Sequence, residues 1–145
     1  MVFQIAPVIN AAGRLGDPRQ GVEFFITEQP DKAKSLAESL KNNNNERKII
    51  DKNITGECFS LIDKNIDLKK TFFLILASEK WHPGVVGIVA SRIVERYCRP
   101  ALVMSIENGY AKGSARSISG FHILNEFRNA RIYSMNTGAT SMLQG

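Results

Sequence analysis

The hydrophobic positions of this chain change their rhythm near residue 70. Upstream, Ala33, Leu36, Ala37 and Leu40 recur at the spacing of one helix face. Ile50, Ile54, Cys58 and Ile62 continue the stripe at four-residue intervals. Residues 30–64 therefore read as one helix or a helix pair. Pro30 suits a first helical position, where its missing N–H costs nothing. The "NNNN" at residues 42–45 has poor helix propensity but no proline, so helix either runs through it or breaks there. Gly56 weakens the second half by about 1 kcal/mol relative to alanine. One narrow apolar stripe with polar flanks suits a helix that bridges two bodies.

Downstream the pattern is α/β. "TFFLILA", residues 71–77, is a short continuous apolar run, expected as a buried strand. Val85, Ile88, Val89 and Ile93 make the inner face of a helix over 85–97. "ALVMS", introduced by Pro100, reads as a second strand, "ENG" at 107–109 as a hairpin turn, and "YAKGSARS" as a third strand. "FHILNEFRNAR" reads as helix. The expected architecture is a small mixed sheet with packed helices, preceded by a long helix or helix pair. Residues 1–28 read as an extended start, then a loop punctuated by Gly13, Gly16, Pro18 and Gly21, then a short helix. That segment is too small to bury its own apolar residues and is expected to belong to a larger body. "IYSMNTGATSMLQG", at the end, fits neither helix nor strand.

Composition narrows this picture. With 43% hydrophobic and 23% charged residues in 145, the chain is globular, as one domain or two small ones. No apolar stretch is long enough to span a bilayer, and the opening lacks the basic-then-apolar order of a signal peptide. No membrane partner is expected. Cys58 and Cys98 show no CxxC spacing, which indicates neither a disulfide framework nor a zinc site. Both are expected as small core residues in a reducing cytosol. The 19 Lys+Arg against 14 Asp+Glu leave a net charge of +5. So mild an excess is compatible with a polyanionic partner and equally with an inert basic surface.

Three constellations carry candidate chemistry. In "WHPGVVGIVASR", Gly84 and Gly87 leave the backbone uncovered at a helix start, where unpaired N–H groups and the positive dipole end can hold an anion. Trp81 offers a face on which a base could stack, and His82 a donor or a titratable imidazole. The alternative is a core tryptophan, a turn-capping histidine and glycines that let helix pack on strand. In "KGSARS", strand periodicity puts Lys112, Ser114 and Arg116 on one face and Gly113, Ala115 and Ser117 on the other. A hydroxyl beside a guanidinium is how a phosphate is gripped. The competing reading is a polar edge strand guarded against aggregation. In "NAAGRLG", Arg14 between two glycines could reach a phosphate from a mobile loop, or could simply be solvated. The carboxylates are scattered, without a D-x-D, H-x-x-E or D-H-H pattern, and there is no Walker loop or G-x-S-x-G elbow. No complete active site is present in these residues.

Four stretches in collinear order resemble the RecJ family of single-strand-specific 5′-to-3′ DNA exonucleases in the DHH phosphoesterase superfamily. They are "PVINAAGRLGD", "LAESLKNNNNERK", "WHPGVVGIVASRIVERYCRPALVM" and "KGSARSISGFHI", spanning about residues 1–128. The resemblance implies three parts: residues 1–28 ending a DHH catalytic domain, 29–68 connecting helices, and 69–131 part of a DHH-associated nucleic-acid-binding domain. It implies single-stranded DNA as the partner, a role in DNA repair and recombination, and a cytoplasmic location. It also implies a catalytic domain before Met1 carrying the aspartates and Mn²⁺ or Mg²⁺ ions, with none of those ions bound by this chain. Carried over by position, Ser114 and Arg116 bind the 5′-phosphate end, and Arg14 contacts DNA. Lys112 joins them, while Trp81, His82, Gly84 and Ser117 are candidates for support. The family's G-G-H-x-x-A-A-G motif is replaced here by "GATSMLQG". Ser-Met-Leu-Gln-Gly can be encoded so that a two-base shift reads Tyr-Ala-Ala-Gly. Residues 132–145 are therefore expected to be a non-native tail produced by a frameshift between Phe127 and Ser141. The alternatives are a DHH phosphodiesterase of short oligonucleotides or cyclic dinucleotides, a non-catalytic nucleic-acid-binding module, and a remnant of a broken gene.

Overall fold

A computed structural model describes residues 2–126 and residue 128. Its elements in order are α1 (Val2–Leu15), α2 (Arg19–Ile26), α3 (Pro30–Asn65), β1 (Leu74–Ser78), α4 (Val86–Tyr97), β2 (Ala101–Glu107) and β3 (Tyr110–Arg116). The proposed aberrant tail, residues 132–145, lies outside the described residues.

The long apolar stripe becomes a single helix. α3 runs unbroken for 36 residues through the asparagines, with Pro30 in its first turn. Asn44 sits at 5% exposure on the buried face. Tertiary packing thus overrides the weak propensity of the asparagines. The first half of α3 packs against α1 and α2, and α4 packs on it further along. This is the bridging role expected of a helix with one apolar stripe.

The N-terminal segment departs from expectation. Residues 2–15 are helical despite Pro7, where an extended start and a loop were expected. The cause is small side chains: Ala11 and Ala12 are fully buried and let α1 lie close against α3. Arg14 consequently stands in the last turn of a packed helix, not on a mobile loop.

β1 and β2 pair in parallel, with α4 as the crossover between them, and β3 returns antiparallel to β2. The strand order is β1-β2-β3. Asn108 and Gly109 form the two-residue hairpin, both at positive φ (51° and 80°). An Asn-Gly pair meets that demand at least cost. One core joins the sheet to both helices: Leu74, Leu76, Val103, Val89, Ile93, Cys58 and Ile62 are its centre. The apolar run expected as a buried strand is buried on one face, among the described residues. Leu74 and Leu76 are buried, whereas Ile75 is 57% exposed.

Arg99 locks the entry to the sheet. Its guanidinium donates to the Thr71 carbonyl at 2.9 Å, to the Tyr97 carbonyl at 3.0 Å and to the Leu68 carbonyl. Cys58 is buried, and that burial pushes its thiol up to about 12. Cys98 corrects the expectation of two core cysteines: it is exposed and takes a left-handed conformation (φ 50°) at the end of α4. Of the helix expected over "FHILNEFRNAR", the described residues show a helical turn at 123–126.

Candidate nucleic-acid interface

The candidate site is built at the start of α4, where two other elements meet it. On one side stands β3. Register pairs Ser114 with Val103 and Arg116 with Ala101, both buried residues, so Ser114 and Arg116 rise from the sheet face that carries α4. Arg116 Nη1 donates to Ser114 Oγ at 2.9 Å. Neither is sealed away: Ser114 is half-buried and Arg116 exposed. Gly87, in the first turn of α4, makes room for the pair. A Cβ there would lie 3.2 Å from Ser114 Oγ and 3.5 Å from Arg116 Nη2.

On the other side stands the end of α1. Arg14 Nη1 donates to the Gly84 carbonyl at 3.3 Å. Gly84 fits so closely under α1 that a Cβ would overlap the Arg14 carbonyl. Arg14 and the Ser114–Arg116 pair therefore flank one short stretch, Gly84 to Gly87. Within it the Val86 and Gly87 N–H groups take no backbone partner among the described residues. Two arginines and a hydroxyl thus stand beside a helix start whose first amides take no backbone partner among the described residues, the kind of donors an oxyanion needs.

His82 shapes the turn: its Nδ1 accepts the Gly84 N–H at 3.0 Å, and its carbonyl accepts the Val85 N–H at 3.1 Å. The stacking role raised for Trp81 is corrected by its burial. At 2% exposure the indole presents no face to a base, and its Nε1 donates to Glu57 Oε2 at 2.9 Å. The Trp81 carbonyl accepts the Ser105 hydroxyl at 2.6 Å, fastening the turn to β2. Lys112 shares the face of Ser114 and Arg116 by register, opposite Ser105, and is exposed. Ser117 does not join the cluster; its hydroxyl donates to the Phe121 carbonyl and holds the following loop.

One member of the cluster escaped sequence reasoning. Ser91 Oγ accepts Arg116 Nε–H at 3.1 Å and donates to the Gly87 carbonyl at 3.1 Å. The signal was present, since Ser91 lies four residues beyond Gly87 and thus one turn along the same helix face.

Among the described residues, no three of His, Cys, Asp and Glu come together as a group able to hold a metal ion. The described residues therefore do not fit the divalent ions that the resemblance implies, and no step is derived through them. Nor is any described helix long and apolar enough to cross a membrane.

Comparison with known proteins bears on the fold of the chain. Residues 70–133 match the family model of the DHHA1 domain. The chain is 37% identical to the single-stranded-DNA-specific exonuclease RecJ of Bacillus subtilis over 145 residues, which cover 99% of this chain and 18% of that protein. It is 39% identical to RecJ of Escherichia coli over 124 residues, covering 83% and 22% respectively. The crystal structure of Thermus thermophilus RecJ in complex with Mg²⁺ superposes with a TM-score of 0.75 at 30% identity, over 88% of this chain and 19% of that one. The same protein solved with Mn²⁺ also gives 0.75. By fold and sequence this is a mixed α/β chain carrying a DHHA1 domain. More narrowly, nearly its whole length is similar to the RecJ exonucleases, and it spans about a fifth of the length of the relatives it matches.

Proposed function

We propose that this chain is the strand-positioning segment of a single-stranded-DNA exonuclease that works from the 5′ end in DNA repair and recombination in the cytoplasm. On this reading residues 1–28 close the catalytic domain, 29–68 connect it, and 69–131 belong to the DHH-associated domain. Mn²⁺- or Mg²⁺-dependent phosphodiester hydrolysis is assigned to a catalytic domain outside this chain, and this chain alone is inactive. Its own residues bind and orient. Arg116 Nη2 and the Ser114 hydroxyl donate to the terminal phosphate beside the start of α4. Arg14 approaches from the opposite side, and Lys112 adds charge along the strand. A terminal monoester carries more charge than an internal diester and is therefore favoured by a cluster of fixed donors.

The observation that carries the reading is the Arg116–Ser114 hydrogen bond standing open beside Gly87. The test is fluorescence anisotropy of the 145-residue chain with oligothymidylates bearing a 5′-phosphate or a 5′-hydroxyl. The phosphorylated strand is expected to bind more tightly, and Arg116→Ala is expected to remove about ten- to a hundredfold of that affinity. Equal affinity for the two ends in the unaltered chain sinks the proposal.

A further inference from the structure

We infer that Ser91 is a positioning residue that sets the orientation of the Arg116 guanidinium for an incoming phosphate. The inference rests on the phosphate reading of the same site. Arg116 is held by three hydrogen bonds: Nε to Ser91 Oγ at 3.1 Å, Nη1 to Ser114 Oγ at 2.9 Å, and Nη1 to the Ala115 carbonyl at 2.8 Å. These occupy Nε–H and both protons of Nη1. The two N–H groups of Nη2 have no partner among the described residues, and Nη2 is the guanidinium nitrogen nearest Gly87.

Ser91 is itself oriented. Its proton goes to the Gly87 carbonyl, one helical turn back, so its lone pairs are left to accept from Arg116. The hydroxyl thus converts the fixed geometry of α4 into a fixed plane for the guanidinium. The neighbouring residue supports this arrangement from the other side of the helix. Arg92 Nη2 bonds the buried Asp51 carboxylate at 2.8 Å, which holds α4 against α3. Ser114 accepts from Arg116 and so keeps its own proton for a ligand. A guanidinium already held in its binding plane loses little freedom when phosphate arrives.

The test compares Ser91→Ala with Ser91→Thr, each alone and combined with Arg116→Ala, in the same anisotropy assay. Ser91→Ala is expected to lower the preference for the 5′-phosphate about five- to tenfold while leaving affinity for the 5′-hydroxyl strand unchanged. Ser91→Thr, which retains the hydroxyl, is expected to restore the preference. In the Arg116→Ala background, Ser91→Ala should remove nothing further. A full preference in Ser91→Ala, or an equal loss in both backgrounds, overturns the inference while the phosphate reading stands. No preference in the unaltered chain overturns both. Should Ser91→Ala not fold, exchange of the Arg116 Nε–H with water in the unaltered chain decides the matter. Protected exchange supports the inference, and exchange as fast as that of a free arginine overturns it.

Discussion

Gly84 and Gly87 stand one turn apart and are needed for different reasons. Gly87 leaves space beside Ser114 and Arg116, whereas Gly84 permits backbone contact with the end of α1. Any side chain at Gly84 must push Arg14 and its helix away. Gly84→Ala is therefore expected to destabilise the fold by about 1–3 kcal/mol, read as a lower midpoint in urea unfolding. An unchanged midpoint would mean that α1 is not seated there. At this scale the sequence was readable where periodicity decides direction. Alternation along "KGSARS" placed Ser114 and Arg116 on one face and Ser117 on the other. It could not show that Trp81 is core and bonded to Glu57, because that contact joins residues 24 positions apart. Helix spacing puts Ser91 on the Gly87 face, but its bond to Arg116 joins residues 25 positions apart, which no local pattern shows.

At the scale of elements, α3 carries the most unusual chemistry. Its buried face is mostly apolar towards the sheet but includes Asn44, Asp51 and Thr55. Asp51 is 1% exposed, accepts the Thr55 hydroxyl at 3.3 Å and pairs with Arg92 of α4. The arginine side chain is 47% exposed, so the two partners of this pair are not equivalent. Removing Arg92 leaves a carboxylate in the interior with a single hydroxyl to satisfy it. Arg92→Ala is expected to cost about 3 kcal/mol, measured by chemical denaturation, and Asp51→Asn distinctly less. Similar losses for both would show that the carboxylate is better solvated than its burial implies. The helix itself was legible from its stripe, but its continuity across residues 42–45 was not. Four asparagines are locally indifferent, and α1 and α2 packed against this half of α3 settle the question.

Across the whole molecule, α3 sets the dimensions, since 36 residues extend about 54 Å. Exposed apolar side chains lie before its first residue and after its last. Val22, Phe25 and Ile26 of α2 are 62%, 66% and 71% exposed, and beyond the other end Phe72 and Ile75 are 56% and 57% exposed. Apolar groups this exposed offer surface to a partner or a probe. The folded chain is expected to bind a hydrophobic-surface dye. Phe25→Gln combined with Ile26→Gln should lower that fluorescence while shifting stability by no more than about 0.5 kcal/mol per site. A folded chain that does not bind the dye would mean that these faces are covered in solution.

The sequence by itself determined the helical stripe of α3, the Asn-Gly hairpin and the common face of Ser114 and Arg116. Each depends on a period of two or four residues, or on φ preferences at a single turn. Only the tertiary structure decided that residues 2–15 are helix, that Trp81 is core and that Arg14 meets Gly84. It also decided that Ser91 holds Arg116. These facts depend on contacts between residues far apart in the chain, where small side chains permit an approach that no local pattern records.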